Sequence, residues 1–404
     1  MVPNRCNLLG LNLSPTPPGS VLGSTHAVRS KSWQASGTYP HSPPTSLSNL
    51  SLLADMGAVD SISKLAALLP LPAVVLWRVL TTTHAPYNKH RGMKRIMGDA
   101  ALRYIIRTLS VAQLQAQFGS TLNVYTKWAK QVKMPVVVDE LGDDARLLWL
   151  GPKRLDHVIL FVHGGGFALP PPNSGLLFWQ HVRLEMEKKG VEPGIVMLNY
   201  SLWPSATFPK PLSQLQRAVS FLLDAGVEPT HLQLAGDSAG GNLIVQLLSH
   251  ALHPHPDVAP LTLSAPFRSI NLLSPWVGLL GETPSYAEND GIDWMARSAL
   301  VGLGRHIIDG FPESYRHTFA EPYKAPAAWF SGVEKLVSSV LITVGEAECM
   351  RDDILQFGAL LEKNHPRVEV VVQPGGFHED MFLDFDVGAK VGMLTPLIVD
   401  RLVA

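Results

Sequence analysis

Ser238 stands in the stretch "LAGDSAGGNL" (residues 234–243), between one apolar run and another. Gly236 and Gly240 flank it at two positions before and after. Small residues there suit a sharp strand-to-helix turn that lifts a serine hydroxyl above a sheet as a nucleophile. The Ala239 amide would then point at an oxyanion from the helix N-terminus. Upstream, "FVHGGGFAL" sets Gly164, Gly165 and Gly166 after His163 at the end of another apolar run. Adjacent glycines leave backbone N–H groups open to a substrate oxygen, with no Cβ in the way. A G-x-S-x-G pattern alone occurs by chance in long chains. Its pairing with the glycine run points to acyl transfer.

A nucleophilic serine needs a base, and the base needs an orienting acid. The turn resembles that of the α/β-hydrolases, and the order that this resemblance implies is serine, then acid, then base. "VVVQPGGFHEDMF" supplies His378 after the last strand-like run, in a loop eased by Gly375 and Gly376. The competing histidines fit less well. His231 begins a strand, His250, His253 and His255 lie at or beyond the far end of the helix after Ser238, and His365 precedes the last strand. His163 comes before the serine and reads as a structural hydrogen-bonding residue. The stretch "GEAECMRDD" offers four acids: Glu346, Glu348, Asp352 and Asp353. Asp352 suits the cap of the next helix. That leaves Glu348 as the first choice, with Asp352 as the alternative.

These residues need elements to hold them. "HVILFV" (157–162), "GIVMLNY" (194–200), "HLQLA" (231–235), "SSVLITV" (338–344) and "VEVVV" (368–372) read as buried parallel strands. "PLSQLQRAVSFLLDAG" (211–226), "GGNLIVQLLSHAL" (240–252) and "DDILQFGALLEKN" (352–364) read as helices. The alternation predicts an α/β protein with a mostly parallel central sheet flanked by helices. Residues 276–330 break the rhythm and read as an insertion at the sheet's ligand-binding edge.

The 404 residues are 46% hydrophobic and carry a net charge of −1, so no global basic excess suggests a nucleic-acid partner. Two cysteines, Cys6 and Cys349, have neither the number of a disulfide framework nor a metal-ligand spacing. Residues 1–50 are rich in Ser and Pro and read as a disordered segment rather than a targeting one. The run "LAALLPLPAVVLW" (65–77) is too short to span a bilayer, and Pro70 and Pro72 break it. It is expected to form part of a cap. The alternative is a peripheral membrane contact through residues 65–78, with Trp77 and Arg78 at the interface. The expected organisation is a disordered 1–50, cap helices over 51–150, and a catalytic domain over 151–404 that carries the insertion.

"HGGG" (163–166), "YSLWP" (200–204), "GDSAG" (236–240) and "HE" (378–379) appear in that order. With them the chain resembles the hormone-sensitive-lipase branch of the α/β-hydrolase fold, also called the α/β-hydrolase-3 group, over roughly 155–400. It is similar there to steryl-acetate and arylacetamide deacetylase-like esterases. The resemblance implies a serine carboxylester hydrolase that acts on apolar or acetyl to medium-chain esters through an acyl-serine, without cofactor or metal. It implies Ser238 as nucleophile, His378 as base, and oxyanion amides from Gly165, Gly166 and Ala239, with Gly164 as part of the motif. Many members carry Asp-Pro-Leu-x-Asp where this chain has "ECMRD", which sets Glu348 over the first Asp. The resemblance also implies a cap of N-terminal helices and an insertion. The sequence leaves the location open, with the cytoplasm or the periphery of a membrane such as the endoplasmic reticulum as the expectation. A ligand-binding protein on a retired hydrolase scaffold, or a peptidase, thioesterase or acyltransferase using the same residues, remains as the alternative.

Overall fold

Eight strands form the centre of the molecule: β1 (Val138–Gly142), β2 (Ala145–Trp149), β3 (Val158–Val162), β4 (Gly194–Asn199), β5 (Leu232–Asp237), β6 (Ser269–Leu273), β7 (Val340–Gly345) and β8 (Val368–Gln373). The computed structural model describes residues 63–404; the segment 1–50 and Cys6 lie outside the described residues. The strands hydrogen-bond in the order β1-β2-β4-β3-β5-β6-β7-β8. β1 to β2 and β2 to β4 are antiparallel, and every later pair is parallel.

Side chains alternate across this sheet, so each strand feeds two layers. Val158, Leu160 and Val162 join the larger core. There they meet α6 (Lys210–Asp224), α7 (Ser238–Leu252) and α9 (Arg351–Glu362). Ile159 and Phe161 face the other core, made with α4 (Thr121–Gln131), α5 (Asn173–Lys188), α10 (Asp380–Val387) and α11 (Leu394–Val403). All five residues of β3 are buried, as a two-sided parallel strand requires. The chain leaves β3 toward β4 on one side and β5 on the other. The strand order therefore reverses between β3 and β5, the place where open α/β sheets bind ligands.

Three further helices precede the sheet: α1 (Leu71–Thr82), α2 (Met93–Thr108) and α3 (Val111–Phe118). A capping box starts α3. Ser110 Oγ accepts from the Gln113 amide, and Gln113 Oε1 accepts from the Ser110 amide. α8 (Arg297–Ile308) comes from the insertion. Together α2, α3, α4 and α8 roof the sheet edge where the strand order reverses.

The structure departs from the sequence reading at several places. Residues 138–149, assigned to the cap, form β1 and β2 and extend the sheet. β1 is a partly exposed edge strand, and the charged residues of both strands interrupt their apolar pattern. β6 was unread because Ser269 and Asn271 interrupt its apolar pattern. Both are buried and hydrogen-bonded to each other, and Ser269 also donates to Gln233. Finally, the run at 65–77 belongs to a longer helical stretch: helix covers 63–68, Leu69 and Pro70 form a turn, and α1 follows. Pro70 is the N-cap of α1 and Pro72 lies in its first turn, where a missing N–H costs nothing. With the turn at Leu69 and Pro70 included, the helical stretch reaches over Ser63–Thr82, a length and composition sufficient to cross a bilayer. Nor does this run line the cavity below; it lies along α2 on the outside of the cap. Its Tyr104 and Arg78 contacts fix it there: Tyr104 donates to the Ala67 carbonyl, and Arg78 to that of Gly291.

Candidate active site

β5 ends at Asp237 and α7 begins at Ser238 with no residue between them. So abrupt a turn forces Ser238 to φ +44°, a region that non-glycine residues avoid at a cost on the order of 1–3 kcal/mol. The turn also requires its glycines. A Cβ on Gly240 would lie 1.9 Å from the Val162 carbonyl oxygen, and one on Gly236 would lie 2.7 Å from the Gly240 backbone. The Ser238 carbonyl accepts the Trp276 amide at 2.9 Å, which ties the turn to the insertion.

Glu348 and His378 meet at the ends of β7 and β8. His378 Nδ1 lies 2.7 Å from Glu348 Oε1. The second carboxylate oxygen, Oε2, accepts Ser274 Oγ–H and the Gly345 amide, each at 2.9 Å. Glu348 is fully buried, so these donors replace water around its charge. Asp352, the alternative acid, points elsewhere. It accepts the Ser285 amide at 2.9 Å and Arg351 Nε at 2.9 Å. It does not cap α9 either, because it already lies in that helix's first turn.

Burial pulls the pKa of the His378 imidazole down. The hydrogen bond to Glu348 and its charge, with those of Asp293 and Asp237, more than reverse this, so the net shift is upward from 6.5. Asp293 went unread in the sequence. Its Oδ1 accepts the His378 amide at 3.2 Å and its Oδ2 the Cys349 amide at 2.9 Å, joining the base loop to the acid loop. Burial, then the Glu348 charge, pushes its carboxyl up to about 7. Asp293 lies in the irregular insertion, where no periodicity marks a residue's partner.

The glycine run closes over the same point. Gly165 and Gly166, at φ +96° and +62°, border a cavity of about 900 Å³ that Ser238 and His378 also line. Gly164 departs from the expectation. Its amide donates to Asp237 Oδ2 at 2.9 Å, so it anchors the loop and is not free to face an oxyanion. Ala239 is the second residue of α7, next to Ser238 at the positive end of the helix. His163 is buried, with Nδ1 2.7 Å from the Gly164 carbonyl, and desolvation lowers its pKa to about 4. It is thus a neutral donor within the loop. Tyr200, from the "YSLWP" stretch, stacks on it and donates to its carbonyl at 2.9 Å. Gln115 of α3 donates to the carbonyls of Ala168 and Trp203, so the cap is tied to the glycine loop.

The cavity walls are apolar: Leu102 and Ile106 from α2, Leu114 and Phe118 from α3, Leu300 and Leu303 from α8. Among the described residues, no group of His, Cys, Asp and Glu is arranged to hold a metal ion.

A family profile described as alpha/beta hydrolase fold matches residues 159–382. A Schizosaccharomyces pombe protein, described as a candidate steryl acetyl hydrolase, is 26% identical over 61% of this chain and 66% of its own length. An acetyl-hydrolase of Streptomyces hygroscopicus is 29% identical over 51% of this chain and 62% of its own. The chain thus spans just under two thirds of these two relatives. Neutral cholesterol ester hydrolase 1 of Rattus norvegicus is 26% identical over 70% and 72%. Among solved structures, an esterase of the bacterial hormone-sensitive lipase family shares the fold with a TM-score of 0.57. It is 19% identical and covers 78% of this chain and 97% of its own.

Proposed function

The chain belongs to the alpha/beta hydrolase fold family, in its α/β-hydrolase-3 group, and from that premise we propose that it is a serine carboxylester hydrolase. One observation carries the reading: Ser238 and His378 face one cavity, and buried Glu348 holds the far side of the His378 ring. In this reading Ser238 attacks the ester carbonyl and His378 Nε2 takes its proton. Glu348 stabilises the imidazolium, and the alcohol leaves with that proton. Water then repeats the sequence on the acyl-serine. The amides of Gly165, Gly166 and Ala239 hold the oxyanion, each donor being worth about 10²–10³ in rate. A largely apolar cavity of about 900 Å³ suits bulky apolar or medium-chain esters, at the upper end of small-molecule sites. Two relatives named for acetyl and cholesterol-ester hydrolysis support the same class.

The pH profile tests the base. Only neutral imidazole accepts the serine proton. Activity is therefore lost as pH falls through the folded-state pKa and is present above it. Because that pKa is raised, the acid limb of kcat/KM should lie above 6.5. A limb below 6.5, or a flat profile from pH 5 to 8, contradicts the assignment.

The partner that fits the cap is an anionic lipid surface, contacted peripherally. Leu69, Trp77 and Leu80 on the outer helical run are 72%, 66% and 71% exposed. From Ser63 to Val138 the chain has eleven Lys and Arg against one acid, Asp99. Lys89, Lys94, Arg107, Lys127, Lys130 and Lys133 are exposed. Phe118, Arg107 and Lys127 also line the cavity, and Lys64 bonds Gln117, another lining residue, so part of this cationic face borders the cavity. Membrane surfaces attract such charge at about 1 kcal/mol per residue. The protein should float with vesicles containing phosphatidylserine, float less at high salt, and lose flotation in the Trp77→Glu, Leu80→Glu double variant. Equal flotation of that variant, or no flotation with phosphatidylserine vesicles, removes the lipid surface as the partner of this face.

A further inference from the structure

His378 Nε2, the nitrogen that would exchange the serine proton, has a second carboxyl beside it. Glu379 Oε1 lies 3.5 Å away. Glu379 is buried and held in the left-handed region at φ +49°, so its position is imposed by its surroundings. A carboxylate there would be awkward for the proposed reaction. It would favour the imidazolium in the free enzyme, and it would offer the Nε2 proton a resting place away from the leaving group.

The neighbouring carboxyl removes that difficulty. Asp237, one residue before Ser238, is also buried and is a hydrogen-bond neighbour of Glu379. Asp237 Oδ2 is occupied by the Gly164 amide. Among the described residues, Asp237 Oδ1 and Glu379 Oε1 are buried oxygens with no hydrogen-bond donor. Two carboxyls in contact, each with a buried oxygen lacking a donor, are satisfied together by one proton between them. The approach is close enough that a Cβ on Gly164 would lie 2.4 Å from Asp237 Oδ2 and 3.0 Å from Glu379 Oε1.

We propose that Asp237 and Glu379 share a single proton, and that this bridge makes Glu379 a positioning residue that joins the glycine loop, the Ser238 turn and the His378 loop. The inference rests on the hydrolase reading of the site. Its consequence is that the group facing Nε2 is a neutral acid during turnover. The surrounding charges agree. Burial raises both carboxyls; for Glu379 the Asp237, Glu348 and Asp293 charges push the same way, while Gly164 and His378 favour the ionised form of Asp237. The proton therefore rests on Glu379. When it leaves to solvent at high pH, two carboxylates repel across the bridge and the three loops separate.

Three variants and one spectroscopic measurement test this in the full-length protein. Glu379→Gln keeps a neutral donor toward Asp237; its kcat/KM should fall far less than that of Glu379→Ala, which should lose about a hundredfold through misplacement of the base. Glu379→Gln should also lack the alkaline limb of the wild-type kcat/KM profile, since its amide does not ionise. Asp237→Asn donates to Glu379 and still accepts from Gly164, which leaves Glu379 ionised beside His378. Its acid limb should move up in pH. In the Ser238→Ala background, the infrared difference spectrum against Ser238→Ala, Glu379→Gln at pH 8 should contain the carbonyl stretch of a protonated carboxylic acid. That band is independent of turnover, so its presence in an inactive protein separates the bridge from the hydrolase reading. The proposal is overturned if the band is absent, if Glu379→Gln keeps the wild-type alkaline limb, or if Gln is no better than Ala at position 379.

Discussion

Ser238→Ala should abolish ester hydrolysis and labelling by a fluorophosphonate, with kcat falling about 10⁶-fold, the scale of losing a nucleophile whose partners act only through it. The oxyanion amides and the cavity would survive, so residual catalysis over water should remain at roughly 10³–10⁴. The fold should survive too. Alanine at 238 removes one oxygen from a turn whose geometry is set by Gly236, Gly240 and the Trp276 bond to the 238 carbonyl. The positive φ is strained for alanine as it is for serine, so the melting temperature should change little. Persistent labelling in a folded variant would move the nucleophile elsewhere.

Glu348→Gln should be nearly as damaging, about 10⁴-fold in kcat, while Asp352→Asn should stay within a few-fold of wild type. The comparison isolates one charge. The substituted side chain would still offer an oxygen to the Ser274 hydroxyl or the Gly345 amide, but its amide would present the wrong group to His378 Nδ1 or force the other ring tautomer. The imidazolium formed during attack would lose its buried counter-charge. Among the described residues the Asp352 carboxylate bonds Ser285 and Arg351, so its change weakens the join between insertion and α9. Steady-state kinetics of the two variants, with circular dichroism to confirm folding, decides between them. The reverse ranking would exchange their roles.

The parts of this site that could be read from sequence are those fixed by local chemistry. A serine between two glycines, a glycine triplet and a histidine after the last strand each report a backbone requirement visible within a few residues. Strands β3, β4, β5 and β7 were legible for a similar reason: burial on both faces leaves a continuous apolar run; the edge strand β8 is only partly buried and was legible from its valines. What stayed hidden depends on distant partners. Asp293 acts by accepting two amides from loops 56 and 85 residues away. The anchoring role of Gly164 depends on Asp237, 73 residues on. β6 hides its polar residues by pairing them with each other and with Gln233 of β5. Pro70 is legible as a break, and the helix that resumes at Leu71 is not, because a proline that ends one helix also suits the start of the next.

The cap is bolted to the base. Arg95 of α2 reaches Asp380 at 2.5 Å and Asp384 at 2.6 Å, while Arg91 reaches Asp380 at 2.6 Å. Both acids lie on α10, which starts two residues after His378. These pairs are buried, and taking one partner from a buried pair typically costs about 3–5 kcal/mol, because the other charge is left stranded. A shortened protein that began at the glycine loop would keep every residue named in the reaction yet strand two carboxylates at the root of the base loop. The smallest piece of this chain that performs the chemistry is therefore larger than the piece that contains it, and α2 belongs to the catalytic unit as much as the strands do.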